Sequence, residues 1–331
     1  MILVSFGTRP EWIKIKPLIK KLDGNVEYKL LFTGQHEDLL SNLKNKENIT
    51  RLKIRQGKNR LDSIVESVMN NESIFKGATS ALVQGDTTSA FSIALAAFHR
   101  GLKIIHLEAG LRTYDNKQPF PEEFNRQSIS RMADIHLCPT ETSRNFLIKE
   151  KTQGRIEVVG NTVLDNLVDL KPVHTNKVIV TMHRRENHNN LDQWFGEINK
   201  IAKNNKDLEF IIPLHPNPNV QKHKRLLPNL KVVRPMEYSD FINLLAKSKF
   251  VITDSGGLQE ETSFLSKKCI VCRQKTERLE GLGTFAYLCT SPSELEGIFD
   301  KVNKDHNPIG SCPYGDGKAS EKIYRILKDE I

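Results

Sequence analysis

The sequence predicts an α/β protein made of two Rossmann-like, doubly wound domains with a cleft between them. Three observations carry this. Short apolar runs recur along the chain, each closed by a polar or glycine-bearing turn and followed by an amphipathic stretch of helical period. The runs are continuous rather than alternating, as in parallel strands covered on both faces. The cycle pauses at a polar stretch near the middle of the 331 residues and then starts again, which leaves roughly 150 residues per half, an ordinary domain size.

In the first half, residues 2–6 form a strand, and Gly7-Thr8-Arg9-Pro10 turns it into a helix. Pro10 suits an early helical position, and Ile13, Leu18 and Leu22 mark the apolar stripe. Residues 28–32 form the second strand, followed by Gly34-Gln35-His36. A helix at 61–69 precedes a strand at 81–84 that ends in Gly85-Asp86-Thr87-Thr88, with a helix at 89–100. The strand at 103–107 ends in Glu108-Ala109-Gly110; a helix at 122–133 and a strand at 135–138 follow. The polar stretch at 165–177, with Pro172, reads as the linker. In the second half, strands at 178–182, 209–214, 230–233, 250–253 and 268–271 alternate with helices at 191–204, from 258, at 294–303 and at 319–328.

Composition narrows the function classes. Hydrophobic residues are 38% and charged residues 27%, as in a soluble globular chain. No apolar run reaches the roughly 18 residues of a membrane span. The N-terminus reads as a strand rather than a signal peptide, so a cytoplasmic protein is expected. Five cysteines are scattered, and Cys269-Ile270-Val271-Cys272 is one C-x-x-C without a second pair, which reads as packing rather than zinc or redox work. The net charge of +9 is spread over helix faces, as at Lys14, Lys16, Lys20 and Lys21. That favours a phosphorylated small molecule over nucleic acid.

Ligands of open parallel sheets sit at the carboxyl ends of strands. There the chain places Gly7-Thr8-Arg9, Gln35-His36, Gly85-Asp86, Glu108-Ala109-Gly110, His183-Arg184-Arg185, His215 and Ser255-Gly256-Gly257. The last opens a helix and either receives a phosphate on its amides or is a plain turn with a serine cap. Asp86, Glu108, Glu122 and Glu123 could supply proton donors and acceptors. The alternatives are an N-cap for Asp86 and first-turn helix charge for the two glutamates. His183-Arg184-Arg185 suits phosphate, and His183 with His188 has no third ligand for a metal. No Walker loop and no G-x-G-x-x-G is present.

With these residues stand further motifs: Phe6-Gly7-Thr8-Arg9-Pro10-Glu11, Thr33-Gly34-Gln35-His36, His106-Leu107-Glu108-Ala109-Gly110, Pro121-Glu122-Glu123-Phe124-Asn125-Arg126, Gly160-Asn161-Thr162-Val163, His183-Arg184-Arg185-Glu186-Asn187, His215-Pro216-Asn217-Pro218, Thr253-Asp254-Ser255-Gly256-Gly257 and Thr276-Glu277-Arg278. The ordered set closely resembles the non-hydrolysing UDP-N-acetylglucosamine 2-epimerases, from residue 2 to about residue 328. The resemblance implies a GT-B-like fold. Its plan is an N-terminal domain at 1–165 with the catalytic acids, a UDP-binding domain at 166–312, and a C-terminal helix at 313–331 that packs back on the first domain. It implies a homodimer without metal or nicotinamide, serving surface polysaccharide precursors, with no nucleic-acid or membrane partner.

By matching positions, Asp86, Glu108 and Glu122 are the family's catalytic acids, and His183, which matches a nucleotide-contacting position, is added as a catalytic candidate. Arg9, Lys14, Arg126, Ser255, Gly256, Glu261 and Arg278 match nucleotide-contacting positions, and Glu123, His215 and Gly257 are added as contact candidates. Bacterial members bind a second UDP-GlcNAc as activator; of the residues matching that site Gln35 and His215 are present, Asp38 stands where Gln is common, and Gln35 and His36 are the candidate regulatory residues. The usual Thr-Glu-Arg-Pro-Glu is Thr276-Glu277-Arg278-Leu279-Glu280. The implied reaction removes UDP and the C2 proton, passes through 2-acetamidoglucal, and returns both with the opposite configuration at C2. The neighbouring classes are hydrolysing epimerases that release N-acetylmannosamine, which carry a His-Gly-Gly-Glu type sequence at this position, and GT-B glycosyltransferases, in which the three acids have no evident role.

Overall fold

A computed structural model describes residues 1–36, 49–55, 57 and 59–330. The chain divides into two compact units, Met1–Asn166 joined by the segment from Gly315 onward, and Leu167–Tyr314.

The first unit runs β1 (Ile2–Phe6), α1 (Arg9–Leu22), β2 (Tyr28–Phe32), β3 (Ile49–Arg51), α2 (Arg60–Met69), β4 (Ser80–Gln84), α3 (Thr88–His99), β5 (Lys103–Leu107), α4 (Glu122–Met132), β6 (Ile135–Cys138), α5 (Glu141–Lys149) and β7 (Arg155–Val158). All pairings are parallel, in the order β3-β2-β1-β4-β5-β6-β7. Side chains alternate across the sheet. Ile2, Val4 and Phe6 pack with α1 on one face, while Leu3, Ala81 and Val83 pack with α2 and α3 on the other. Both faces are therefore dry, which explains the unbroken apolar runs.

Helix α1 starts where Thr8 caps it: the Thr8 hydroxyl accepts from the Glu11 amide, Glu11 reaches back in a capping box, and Pro10 sits in the first turn. The buried stripe is Trp12, Ile15, Leu18, Ile19 and Leu22. Ile13, expected on that stripe, is only half-buried; with the helix phased from Arg9, Trp12 and Ile15 face the sheet and Ile13 lies at the flank.

The second unit runs β8 (Lys177–Thr181), α6 (Leu191–Asn204), β9 (Glu209–Pro213), α7 (Pro218–Gln221), β10 (Lys231–Val233), α8 (Tyr238–Ala246), β11 (Phe250–Thr253), α9 (Leu258–Phe264), β12 (Cys269–Cys272), β13 (Ala286–Cys289) and α10 (Leu295–Lys304). Its parallel sheet has the order β10-β9-β8-β11-β12-β13. Trp194, Phe195, Phe210, Phe250 and Phe299 fill its main core. Cys269 and Cys272 lie on β12, fully buried, and burial pushes the Cys269 thiol up to about 12.

The last helix, α11 (Ala319–Glu330), belongs to the first unit. Ile323 and Leu327 enter the core with Ile15 and Leu18. Asp165 caps its start, accepting from the amides of Ala319 at 3.1 Å and Ser320 at 2.7 Å. Among the described residues no helix is long and apolar enough to cross a membrane.

Each sheet order reverses once, between β1 and β4 in the first unit and between β8 and β11 in the second. The helices after these neighbouring strands leave to opposite faces, so their turns diverge. Phe299→Ala should cost about 3–5 kcal/mol of stability in the second unit, read in a denaturant titration. Ile309→Ala, at an 86% exposed side chain, should change it by less than about 0.5 kcal/mol.

Candidate active site

The site in the first unit begins with a glycine that cannot be replaced. A Cβ on Gly7 would lie 2.1 Å from Ser89 Oγ and 2.3 Å from Thr33 Oγ1. The close approach brings the β1–α1 turn against the start of α3. Gln35 sits at the same place. Its side-chain oxygen accepts from the Ser89 hydroxyl at 2.8 Å and the Ser89 amide at 3.2 Å. The His36 amide donates to Gly7 O at 2.7 Å. Asp38 lies outside the described residues.

Glu11 is buried behind that turn. Its Oε2 accepts from the Gly7 amide at 2.9 Å, the Thr8 amide at 2.6 Å and the Thr8 hydroxyl at 2.7 Å. Its Oε1 accepts from the Thr87 hydroxyl at 2.7 Å. Burial raises its pKa, and these hydrogen bonds, Thr87 first, pull it back.

Asp86 follows β4 and is partly exposed. Arg126 on α4 donates to its Oδ2 at 2.5 Å, and Asn125 Nδ2 donates to its carbonyl at 2.9 Å. Asp86 is not the cap of α3; Thr87 is, its hydroxyl accepting from the Ala90 amide. Gly85 takes φ +68°, a left-handed conformation that suits glycine. Its carbonyl accepts from His106 Nε2 at 2.8 Å, which fixes the proton on that nitrogen. His106 is fully buried, and burial drives its pKa down to about 3.

Glu108 is held from three sides. Lys14 Nζ reaches both carboxylate oxygens, at 2.5 Å and 2.6 Å; Gln84 Nε2 donates to Oε2, and Asn161 Nδ2 to Oε1 at 3.3 Å. Its backbone has φ +66°, an uncommon and costly conformation for a side-chain-bearing residue. That strain turns the side chain back over the neighbouring turn: a Cβ on Gly85 would lie 3.6 Å from Glu108 Oε2. Glu122, half-buried, is the first residue of α4. Glu123 is fully buried and accepts from the amides of Thr113 and Tyr114, both at 3.0 Å, and from Gln127. With Arg126 Nη1 3.3 Å from Glu123 Oε2, Glu123 holds the preceding loop and the arginine in place. In this unit Arg9, Lys14, Asp86, Glu108, Glu122 and Arg126 thus all sit at the carboxyl end of the sheet or in the first turns of helices rising from it.

The second unit repeats the arrangement with other residues. Asp254 is fully buried after β11. Its Oδ2 accepts from the amides of His183 and Arg184, both at 2.8 Å, and from Asn187 at 3.3 Å. His183 Nδ1 lies 3.5 Å from Oδ1. The ring, 37% exposed, has its pKa lowered by burial, with Asp254 opposing. It stacks on His215 at 5.3 Å between centroids, and burial lowers the His215 pKa too. Ser255 does not cap α9; Gly257 occupies that position without a side-chain bond. A Cβ on Gly256 would lie 3.0 Å from both Arg278 Nη1 and Glu277 Oε1, so the glycine lets Arg278 approach the turn. Arg278 pairs with Glu277 and, at 3.0 Å, with Glu260. Glu261 accepts from the Tyr238 hydroxyl at 2.7 Å.

Each unit therefore gathers its own set of expected residues at its strand ends. The sequence reading gave no separate role to Glu11, Thr87, Gln84, Asn161, Asp254 or Glu260. Their signal was present in the spacing: each lies in or beside a strand-end turn. Among the described residues no group of three or more His, Cys, Asp or Glu could hold a metal ion.

A family profile described as UDP-N-acetylglucosamine 2-epimerase matches residues 20–328. The UDP-N-acetylglucosamine 2-epimerase of Campylobacter jejuni is 39% identical over 98% of this chain and 97% of its own length. The solved UDP-GlcNAc 2-epimerase of Neisseria meningitidis, bound to UDP-GlcNAc, is 32% identical, covers 99% of both chains and superposes with a TM-score of 0.89. A UDP co-structure of S. aureus MnaA is also 32% identical, covering 99% of this chain and 96% of its own, with a TM-score of 0.88.

The buried histidine gives a pH test. Folded His106 stays neutral down to about pH 3, whereas an unfolded histidine takes up a proton below about pH 6.5. The unfolded state then binds more protons, so stability falls as pH drops through that window, by about 1.4 kcal/mol per pH unit per such histidine. His136, also buried and lowered, adds to the slope. His106→Gln, which keeps an N–H for Gly85, should lose less stability between pH 6.5 and 5 than the parent chain in denaturant titrations. Equal losses in both would refute the assignment.

Proposed function

Because the chain belongs to the UDP-N-acetylglucosamine 2-epimerase family, epimerases acting on a UDP-sugar, we propose that it interconverts UDP-GlcNAc and UDP-ManNAc, or a modified UDP-N-acetylhexosamine such as a 6-deoxy sugar, without hydrolysing it. The observation that supports this reading best is the pairing of carboxylates with cations in the first unit, Asp86 with Arg126 and Glu108 with Lys14.

The C2 hydrogen of a sugar is barely acidic. Breaking the C1–O bond to UDP places positive charge at C1 and makes the C2 proton removable. The bonding electrons leave with UDP, the proton passes to a carboxylate, and a C1–C2 double bond remains in 2-acetamidoglucal. In the return step a proton is delivered to the other face of C2 and a phosphate oxygen of UDP rejoins C1. Two faces need two proton-handling groups, and Asp86, Glu108 and Glu122 are the candidates. Arg9, Lys14, Arg126 and His183 would stabilise charge on the departing diphosphate. The second unit would hold the nucleotide through Ser255, Gly256, Glu261 and Arg278. The same reading makes the protein a cytoplasmic homodimer.

Incubation with UDP-GlcNAc in deuterated water, followed by NMR, should give deuterium at C2 and a mixture of gluco and manno UDP-sugars. Free N-acetylmannosamine as the main product would place the chain with hydrolysing epimerases. Asp86→Asn and Glu122→Gln should each lower turnover by about 10²-fold or more, the range of a positioned acid or base, while UDP still binds. Near-normal turnover in both would remove these residues from the reaction.

A further inference from the structure

We propose that Glu11 and Asp254 are positioning residues of the epimerase reaction, each a buried carboxylate that braces two strand-end turns at the point where its sheet order reverses. The proposal rests on the function proposed above.

Glu11, in the first turn of α1, holds the turn after β1 through the Gly7 and Thr8 amides and bonds to Thr87 in the turn after β4. Asp254 belongs to the turn after β11 and bonds to His183 and Arg184 in the turn after β8. In both units the two strands are hydrogen-bonded neighbours. Their turns would otherwise be free to separate, since the chains leave to opposite faces.

Helix capping alone does not account for Glu11. The capping box needs only its bonds to Thr8; the bond to Thr87 crosses 76 positions of chain to the adjacent turn. That turn carries Asp86, and the Glu11 turn carries Arg9. Asp254 lies in the turn before α9, and its side chain bonds to His183, Arg184 and Asn187, which follow β8. It organises the loop that presents His183. Donors converge on both Glu11 oxygens and on Asp254 Oδ2, while Asp254 Oδ1 has only His183 Nδ1 at 3.5 Å. A carboxylate only accepts, whereas a glutamine at position 11 would turn its N–H₂ either toward the Gly7 and Thr8 amides or toward the Thr87 hydroxyl.

The two braces predict opposite kinetic signatures. Glu11→Gln and Thr87→Val, which cut the first brace from either end, should lower kcat on UDP-GlcNAc on the order of 10²-fold, as for a misplacement of about 1 Å. UDP affinity by calorimetry should stay within about threefold in both. Thr87→Ser keeps the hydroxyl and should restore kcat. Asp254→Ala, which removes the acceptor of all three bonds, should instead weaken UDP binding by about tenfold or more, the loss of about one hydrogen bond's worth of ordering. Melting temperatures separate positioning from simple unfolding. If Glu11→Gln does not fold, the Thr87 pair carries the test. Thr87→Val with kcat within about twofold of the parent, or kcat and UDP affinity falling together in every variant, would overturn the proposal. A parent chain that binds UDP but does not turn over UDP-GlcNAc would sink the proposed function instead, and unchanged UDP affinity in Asp254→Ala would then still refute the second brace.

Discussion

A carboxylate taken out of water needs hydrogen-bond donors, and in this protein the donors that Glu11 and Asp254 collect tie neighbouring strand-end turns together. Glu11 and Asp254 each sit where two neighbouring strands end and their chains part. An apolar residue at either position would leave the backbone amides of Gly7 and Thr8, or of His183 and Arg184, in need of other acceptors. Because an unmet buried amide costs more than a met one gains, the carboxylate and the turn geometry specify each other. The glycines follow from the same constraint. Gly7 has no room for a Cβ once its turn is drawn against Ser89, and Gly256 has little once Arg278 and Glu277 close over it.

The strained backbone of Glu108 belongs to the same design. A left-handed conformation at a glutamate is unfavourable, so something must hold it. Lys14, Gln84 and Asn161 do, each from a different part of the first unit. His106, on β5 two residues before Glu108, donates to the Gly85 carbonyl. Asp86 and Glu108 are thereby anchored to the same short turn, one by sequence and one by contact. The net charge of +9 therefore says little about this site. The local pairs decide its character, and many other lysines lie on exposed helix faces, as Lys16 and Lys20 do.

What the sequence made legible follows from burial. Central strands such as 103–107, 135–138 and 250–253 appear at their expected bounds because they are apolar on both faces. Three edge strands were missed: β3 has three residues, β7 opens on an exposed arginine and is only half-buried beyond it, and β13 is half-buried at its centre, whereas the edge strand β10 was expected at 230–233. Helices α5 and α8 were also missed, since few of their residues are buried and their apolar stripes are short. The strand-end clusters were legible as a set because polar residues there interrupt dry strands. Their internal division was not. Glu122 and Glu123 are adjacent and chemically alike, yet Glu123 is buried under the Thr113 and Tyr114 amides while Glu122 opens the helix. No spacing rule separates them; the path of the preceding loop does. The bland readings of Asp86 as a cap and of Ser255 as a cap fail for a similar reason, since the cap falls to Thr87 in one case and to Gly257 in the other.

The pairing of acids with bases bears on how one site can both release a diphosphate and move a proton. In the structure Asp86 is matched to Arg126, and Glu108 to Lys14. Each pair is compensated, which makes two partly buried carboxylates tolerable side by side. Under the proposed reaction, a diphosphate entering such a site would compete for the same guanidinium and ammonium groups, with more negative charge than a carboxylate offers. As the C1–O bond broke, charge on the leaving oxygens would grow and the competition would tilt further toward them. A carboxylate whose cation is drawn away is a better proton acceptor, so departure of the nucleotide and removal of the C2 proton would reinforce each other. Re-addition of UDP would run the same exchange in reverse, returning the cations to the carboxylates as the phosphate charge is consumed. On this proposal the cations that stabilise the leaving group are also the ones that set the basicity of the acids beside them.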